Sequence, residues 1–184
     1  MRINEIPVTL RDGRKAVLRT VHPEEAQRVL DVMRITSGET HFMARYPDEA
    51  VASLEKEIVY LTAQEEKTNA FELCALVDGE LVGLAGINPI SSRRKLCHRA
   101  SFGTSILKDY CNCGLGTLML ETCLKYARES GYTQVELGVF DDNPRAIHVY
   151  EKLGFRRVGT IPRAFRLDDG TYHDEHQMVC FLEG

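Results

Sequence analysis

The most informative stretch of this chain is Asn-Pro-Arg-Ala-Ile-His-Val-Tyr-Glu-Lys-Leu-Gly-Phe, residues 143–155. Its first residue is a favoured helix cap, and the proline that follows fits the first helical position. Its glycine is suited to end a helix. The stretch therefore predicts a helix from Asn143-Pro144 to about Leu153. A well-capped helix can also have a purely structural role. Whether this one is part of a functional site must be judged from the motifs around it.

A second motif, Cys-Asn-Cys-Gly-Leu-Gly-Thr at residues 111–117, precedes this helix, with an apolar strand pattern at residues 135–139 between the two. Two glycines between a strand and a helix let the backbone approach a phosphate, whose charge the helix N-terminus stabilises. The third glycine of a dinucleotide fingerprint is replaced by Met119, and the Gly-Lys-Ser/Thr of a P-loop does not follow. Taken alone, the motif is compatible with either a tight turn or an anion site.

The rest of the chain predicts further strands and helices in a single domain, residues 1–184. A hairpin with its turn at residues 12–13 opens the chain, and a helix from Pro23 is expected to end near Gly38. The apolar face of a second helix is formed by Val51, Leu54, Ile58 and Leu61. Further strands are predicted at residues 71–77, 81–87, 99–107 and 135–139 and on both sides of a turn at residues 169–170. This mixture indicates an α/β (α+β) sandwich with a central sheet.

Composition and charge narrow the class of protein. The chain has 184 residues, an apolar share of 43% and a net charge of −4, as expected for a folded domain. It contains no apolar run long enough for a membrane helix and no basic stripe typical of nucleic-acid binding. The first residues form no apolar secretory signal, and the six cysteines suit a reducing compartment. We therefore expect a cytoplasmic protein that binds neither nucleic acid nor membranes.

In the order and spacing of its motifs, the chain resembles the GNAT superfamily of acyl-CoA-dependent N-acyltransferases. Both glycines of the family pattern Gln/Arg-x-x-Gly-x-Gly/Ala are present in residues 111–116. The pattern Asn-x-x-Ala-x-x-x-Tyr-x-x-x-Gly-Phe is matched by Asn143, Ala146, Tyr150, Gly154 and Phe155. The opening hairpin and residues 172–178 also resemble the ribosomal-protein and polyamine acetyltransferases. The resemblance implies a mixed, mostly antiparallel sheet of about seven strands with about four flanking helices.

The resemblance also implies acetyl-CoA as cosubstrate, no metal, and roles for individual residues. The strand end that offers backbone groups to the pantetheine arm would be Thr104, Ser105 and Ile106. The amides that hold the pyrophosphate would belong to Asn112, Cys113, Gly114, Leu115, Gly116 and Thr117. Asn143 would lie beside the cosubstrate, and the hydroxyl of Tyr150 would protonate the leaving thiolate.

Two positions depart from the family pattern. Cys111 stands where glutamine or arginine is usual, which removes a contact to phosphate but keeps the backbone amides. Gly138 stands where some members carry a catalytic glutamate. The nearby candidates for a general base are Glu136, Asp141, Asp142 and His98, each of which also has a structural explanation. His173 and His176 lie too far from a second ligand cluster in the sequence to predict a metal site.

The function implied is transfer of an acetyl group to a primary amine, directly, in a ternary complex. An amine needs a base because little of it is unprotonated at neutral pH. The acceptor, a small-molecule or peptide amine, would lie near the first two helices, whose connection is acidic at Glu39, Asp48 and Glu49. The sequence leaves its identity open among a peptide N-terminus, a polyamine, an amino sugar and an antibiotic, and a homodimer is compatible with it. The alternative is a non-catalytic module that binds or senses acyl-CoA.

Overall fold

A computed structural model describes residues 1–49 and 52–182 of the protein. The strands are β1 Ile6–Thr9, β2 Lys15–Thr20, β3 Phe71–Val77, β4 Glu80–Pro89, β5 Arg99–Ile106, β6 Gln134–Phe140, β7 Arg156–Arg166 and β8 Tyr172–Phe181. The α-helices are α1 Ala26–Glu39, α2 Leu54–Glu66, α3 Leu115–Glu129 and α4 Pro144–Lys152. Two short 3-10 turns lie at Pro23–Glu25 and Lys108–Tyr110.

The strands form a single sheet in the order β1-β2-β3-β4-β5-β6-β8-β7. Every neighbouring pair is antiparallel except β5 and β6, which are parallel. The predicted α/β sandwich is confirmed, with eight strands instead of about seven because the opening hairpin and both tail strands join the same sheet.

The parallel pair β5–β6 separates soon after it begins. The two strands pair only at Arg99–Gln134, Ala100–Val135 and Ser101–Glu136. Beyond Ser101, β5 continues to pair with β4 on its other side, and β6 pairs with β8 along its whole length. A V-shaped gap therefore opens in the middle of the sheet, with Phe102–Ile106 on one side and Leu137–Phe140 on the other.

Each face of the sheet is covered by two helices. On one face, residues such as Ala100, Phe102 and Val135 pack with α3 in a large apolar core. On the other face, Cys74 and Leu84 pack with Val29 of α1 and Leu61 of α2. The alternation of side chains along each strand produces this division, because successive residues point to opposite faces.

The helix ends follow local signals closely. Asn143 caps α4 by accepting a hydrogen bond from the amide of Ala146 at 3.2 Å. Gly154, with a φ of 90°, lies just beyond the end of α4. Helix α1 ends at Glu39, one residue beyond Gly38, near which its end was expected. Val51, expected in the second helix, lies outside the described residues. No described helix is both long and apolar enough to cross a bilayer.

Candidate active site

A cavity of about 690 Å³ lies between helices α1 and α2 and strands β3–β5. Its lining includes the stretch Ser101–Ser105 of β5, so it opens onto the strand that borders the gap between β5 and β6. Its walls are largely apolar, and the charged side chains that line it are Arg45, Lys56, Glu57 and Glu72.

Glu72, on the floor of the cavity, has a strongly raised pKa. It projects from β3 over Gly86 of β4, and a Cβ atom at residue 86 would lie only 2.6 Å from Glu72 Oε2. No described residue forms a hydrogen bond or ion pair with its carboxylate. Burial, together with the negative charge of Glu57, raises the pKa of Glu72 to about 8. Gly86 pairs with Gly103 of β5, so the carboxylate lies roughly one strand spacing, about 5 Å, from the edge of the gap.

Glu57 and Arg45 also line this cavity. Glu57 on α2 is only 7% exposed, and burial raises its pKa while the charge of Arg45 opposes the shift. The Nε atom of Arg45 is buried, and none of the described residues accepts a hydrogen bond from it. Among residues 1–49 and 52–182, the carboxylates of Glu57 and Glu72 and the guanidinium of Arg45 have no hydrogen-bond or ion-pair partner.

The loop before α3 has the geometry of an anion site. Asn112 and Gly114 both have left-handed backbone conformations, with φ values of 63° and 89°. Gly114 is the helix cap and provides no side-chain cap, so the first-turn amides of Leu115, Gly116 and Thr117 have no partner within the helix. A Cβ atom at Gly116 would already lie 3.3 Å from Ile106 Cδ1, which shows how closely the loop approaches the end of β5.

Cys111 and Arg145 meet at this loop. The Cys111 sulfur lies 3.7 Å from the carbonyl oxygen of Leu107. Burial raises the pKa of the Cys111 thiol, and the neighbouring Arg145 guanidinium, from the first turn of α4, opposes the shift. A cationic side chain therefore lies next to the position where the family pattern usually has glutamine or arginine.

Tyr150 lies on the opposite face of the sheet from the cavity, beside the gap. Its ring packs edge-on against Phe102 of β5, with ring centroids 6.3 Å apart, and against Phe155 at 5.8 Å. Burial raises the pKa of Tyr150 to about 12, and no described residue hydrogen-bonds its hydroxyl. Thr104 and Ser105 line the cavity at the same strand, and the Thr104 hydroxyl donates to the Leu84 carbonyl at 2.9 Å.

The base candidates suggested by the sequence are engaged elsewhere. Arg99 donates two hydrogen bonds to the Glu136 carboxylate, at 2.5 and 2.7 Å, and this contact lowers the pKa of Glu136. His98 precedes β5 and does not line the cavity. Asp141 and Asp142 form the turn before α4. Over Gly138, the space for a side chain is filled by the carboxylate of Glu175 from β8, which accepts a hydrogen bond from Gln177 at 2.5 Å.

A histidine pair forms around Asp142. His41 Nε2 lies 2.8 Å from Asp142 Oδ2, and His173 Nδ1 lies 3.3 Å from the same oxygen. Their ligand atoms lie within 4.8 Å of one another, so the group is compact enough to hold a metal ion. His176 does not join it and instead contacts Arg157 and Thr160. The group connects the segment after α1 to the turn before α4.

The acidic residues expected near the acceptor also have other contacts. Glu39 accepts a hydrogen bond from the Lys108 amide at 2.8 Å, and Glu49 accepts one from the Tyr46 amide at 2.7 Å. Sequence analysis missed Glu57 and Glu72, which the fold brings into the cavity instead. The available signal for Glu72 was a charged residue between Phe71 and Leu73 in an otherwise apolar strand.

Comparison with known proteins provides a family assignment for this arrangement. The acetyltransferase (GNAT) family profile matches residues 21–155, well over half of the chain. The crystal structure of a GNAT-family acetyltransferase from Streptococcus pneumoniae superposes with a TM-score of 0.86 and 28% identity, covering 90% of this chain and 99% of that one. YncA from Salmonella typhimurium, determined with its cofactor acetyl-CoA, shares the fold with a TM-score of 0.80 at 17% identity, covering 91% of this chain and 94% of that one.

The curated relatives match only part of the chain. The L-amino acid N-acetyltransferase AaaT of Escherichia coli is 34% identical over 112 residues, which are 59% of this chain and 66% of the relative. The spermidine N(1)-acetyltransferase of the same species is 32% identical over 109 residues, 56% of this chain and 54% of the relative. The aligned part of the chain therefore spans about two thirds of one relative and about half of the other.

Proposed function

This chain belongs to the acetyltransferase (GNAT) family, and on that premise we propose that it is an acetyl-CoA-dependent N-acetyltransferase acting on a primary amine. One observation carries the proposal: the gap between β5 and β6 opens beside a cavity that contains an unpaired carboxylate. A thioester lying in the gap and an amine lying in the cavity would meet at Gly103–Ser105. Holding both reactants on one strand supplies much of the rate of such a reaction.

Acetyl-CoA, when bound, supplies the acetyl group activated as a thioester. The free amides of residues 115–117 at the start of α3 fit a pyrophosphate, since they combine unpaired donors with the positive end of a helix. We assign the surrounding residues Asn112, Cys113, Gly114 and Asn143 to the same site. Arg145 supports this assignment, because its charge lies next to Cys111 and replaces the side chain that the family pattern has there.

Glu72 is the proposed general base. It lines the cavity, has no competing partner and has a pKa of about 8, which suits proton removal from an ammonium near neutral pH. The ammonium first gives one proton to Glu72, and the resulting amine nitrogen forms a bond to the acetyl carbon. As the carbon–sulfur bond breaks, the nitrogen releases its second proton to solvent and the amide is formed. Backbone groups of Thr104, Ser105 and Ile106 would orient the acetyl end.

Tyr150 would hold the leaving sulfur. Its pKa of about 12 keeps the phenol protonated at all assay pH values, so its hydroxyl can donate a hydrogen bond. Full proton transfer to a thiolate with a pKa near 8.5 would be uphill by roughly 3.5 pKa units. We therefore assign Tyr150 hydrogen-bond stabilisation of the thiolate, whose proton then comes from solvent.

Direct transfer, without an acetylated enzyme, is the proposed route. A nucleophilic cysteine needs a neighbouring base or a lowered pKa. Burial raises the pKa of Cys74, Cys111, Cys123 and Cys180. Within residues 1–49 and 52–182, no histidine makes a hydrogen bond to a cysteine.

The first experiment is release of free thiol from acetyl-CoA with a panel of amines: amino acids, polyamines, amino sugars and peptides. The curated relatives named for amino acids and for spermidine make these the first classes to test. Thiol release that depends on one amine class supports the proposal. Acetyl-CoA binding without thiol release across the panel would support the alternative, a module that senses acyl-CoA.

A further inference from the structure

The cavity is lined by two carboxylates, Glu57 and Glu72, and by two cationic side chains, Lys56 and Arg45. Arg45 has a buried Nε with no hydrogen-bond acceptor among residues 1–49 and 52–182. It forms no salt bridge with the neighbouring Glu57, although its charge acts on the pKa of that carboxyl. Glu72 likewise has no partner at hydrogen-bonding distance in the described part of the chain.

Leaving a guanidinium donor buried and unpaired is costly, because a buried polar group that lacks a partner forfeits its hydration. A ligand that brings an anion into the cavity removes this cost. A guanidinium prefers a planar carboxylate, which can accept two parallel hydrogen bonds from it. The same ligand must also bring an amine to Glu72.

A polyamine would satisfy only half of this arrangement. Its ammonium groups fit Glu57 and Glu72, but they would lie near Arg45 with no anion to offer and would add like-charge repulsion. The cavity also has apolar walls, formed by Val29, Met33, Met43 and Leu84. Its volume of about 690 Å³ leaves space for a large side chain.

We propose that the acceptor is an amino acid with an apolar side chain, bound with its amine at Glu72 and its carboxylate at Arg45. This inference rests on the proposed function and specifies its substrate class. The amine then faces Gly103 across one strand, while the carboxylate is held against the segment that follows α1. The apolar walls receive the side chain.

The test compares three matched acceptors: L-phenylalanine, its neutral amide L-phenylalaninamide, and phenethylamine, which lacks the carboxyl group. Rates are compared at equal concentrations of unprotonated amine, since the three differ in amine pKa. We expect kcat/KM for L-phenylalanine to exceed both others by about 10- to 100-fold, the range of a charged hydrogen bond lost from a buried site. Spermidine is included as the polyamine.

The variant Arg45→Gln tests whether Arg45 binds the acceptor's carboxylate. Its matched control is Arg34→Gln, because Arg34 lies on the exposed side of α1. Arg45→Gln should raise KM for L-phenylalanine by about 10-fold or more and leave KM for phenethylamine unchanged. Arg34→Gln should change neither. Thermal denaturation establishes that both variants are folded.

The proposal is overturned if phenethylamine or spermidine is acetylated as efficiently as the amino acid, or if Arg45→Gln alters all acceptors equally. Either result would leave the proposed acetyltransferase activity standing. Absence of thiol release with every amine would instead contradict the proposed function itself.

Discussion

At the scale of single residues, Glu72 combines three features that its sequence context only hints at. It lies in an apolar strand, over a glycine, and beside a second buried carboxylate. The first is visible in the sequence as one charged residue among Phe71, Leu73 and Cys74. The other two depend on Gly86 and Glu57, which reach Glu72 only through sheet pairing and helix packing. Local patterns therefore could not identify it.

Replacement of Glu72 by glutamine should lower kcat by about 10²-fold and change the pH profile. In the wild type, we expect the rate to rise with pH as Glu72, with a pKa of about 8, loses its proton. In Glu72→Gln this limb should disappear, leaving only the titration of the amine. Glu175→Gln is the matched control, because Glu175 fills the space over Gly138 but does not line the cavity. If Glu175→Gln and not Glu72→Gln flattened the profile, the base would belong to β8.

The same carboxyl should affect stability without any substrate. Its pKa is raised from 4.5 to about 8 in the folded state, so between these values the folded protein keeps a proton that the unfolded chain has released. The free energy of unfolding therefore falls as pH rises from about 4.5 to 8. Denaturation at several pH values should show this fall to be weaker in Glu72→Gln than in the wild type. Parallel curves for the two proteins would show that Glu72 is solvated normally.

Tyr150→Phe tests the second catalytic assignment. Phenylalanine keeps the ring contacts with Phe102 and Phe155 and removes only the hydroxyl. We expect normal folding, acetyl-CoA affinity close to that of the wild type, and kcat lower by about 10²-fold. Tyr126→Phe on α3, whose ring packs on Phe71 away from the gap, should keep full activity. Full turnover in Tyr150→Phe would leave solvent as the thiolate's sole partner.

At the scale of elements, capping and turn signals predicted the second half of the chain well. Asn143, Gly154 and Gly114 act where the sequence indicated, because each effect depends on a few adjacent residues. The end of α1 at Glu39 likewise lies within one residue of Gly38, where the sequence indicated it. The separation of β5 from β6 had no local signal, because no local pattern encodes where two distant strands stop pairing.

The role of the start of α3 in acetyl-CoA binding can be tested by substitution of Gly116. A leucine at Gly116 would put a bulky side chain in the proposed pyrophosphate loop, and its Cβ would lie only 3.3 Å from Ile106 Cδ1. Gly116→Leu should therefore weaken acetyl-CoA binding by at least about 10-fold. Wild-type protein should gain about 2.7 kcal/mol in unfolding free energy at 100 times Kd, and the variant less at the same concentration. Gly159→Leu, at a position of β7 with open space around it, is the control. Unchanged affinity in folded Gly116→Leu would remove the amides from the site.

At the scale of the whole molecule, the proposed mechanism places the two reactants on opposite faces of the sheet, where they meet at one gap. The α3–α4 face holds the proposed coenzyme loop and Tyr150, whereas the α1–α2 face holds the cavity with Glu57 and Glu72. In the proposed mechanism, this division would let both ligands bind at once, each from its own side. It also predicts the kinetic mechanism. If the two reactants enter from opposite faces, the acetyl group can pass directly to the amine without first being bonded to the enzyme.

Initial-rate kinetics in which acetyl-CoA and an acceptor amino acid are varied together test this account most directly. Direct transfer in a ternary complex predicts double-reciprocal lines that intersect, and intact-mass spectra of protein incubated with acetyl-CoA alone should show no added acetyl group. Parallel lines together with a protein mass increased by one acetyl group would contradict it, because they would show that the acetyl group passes through the enzyme itself.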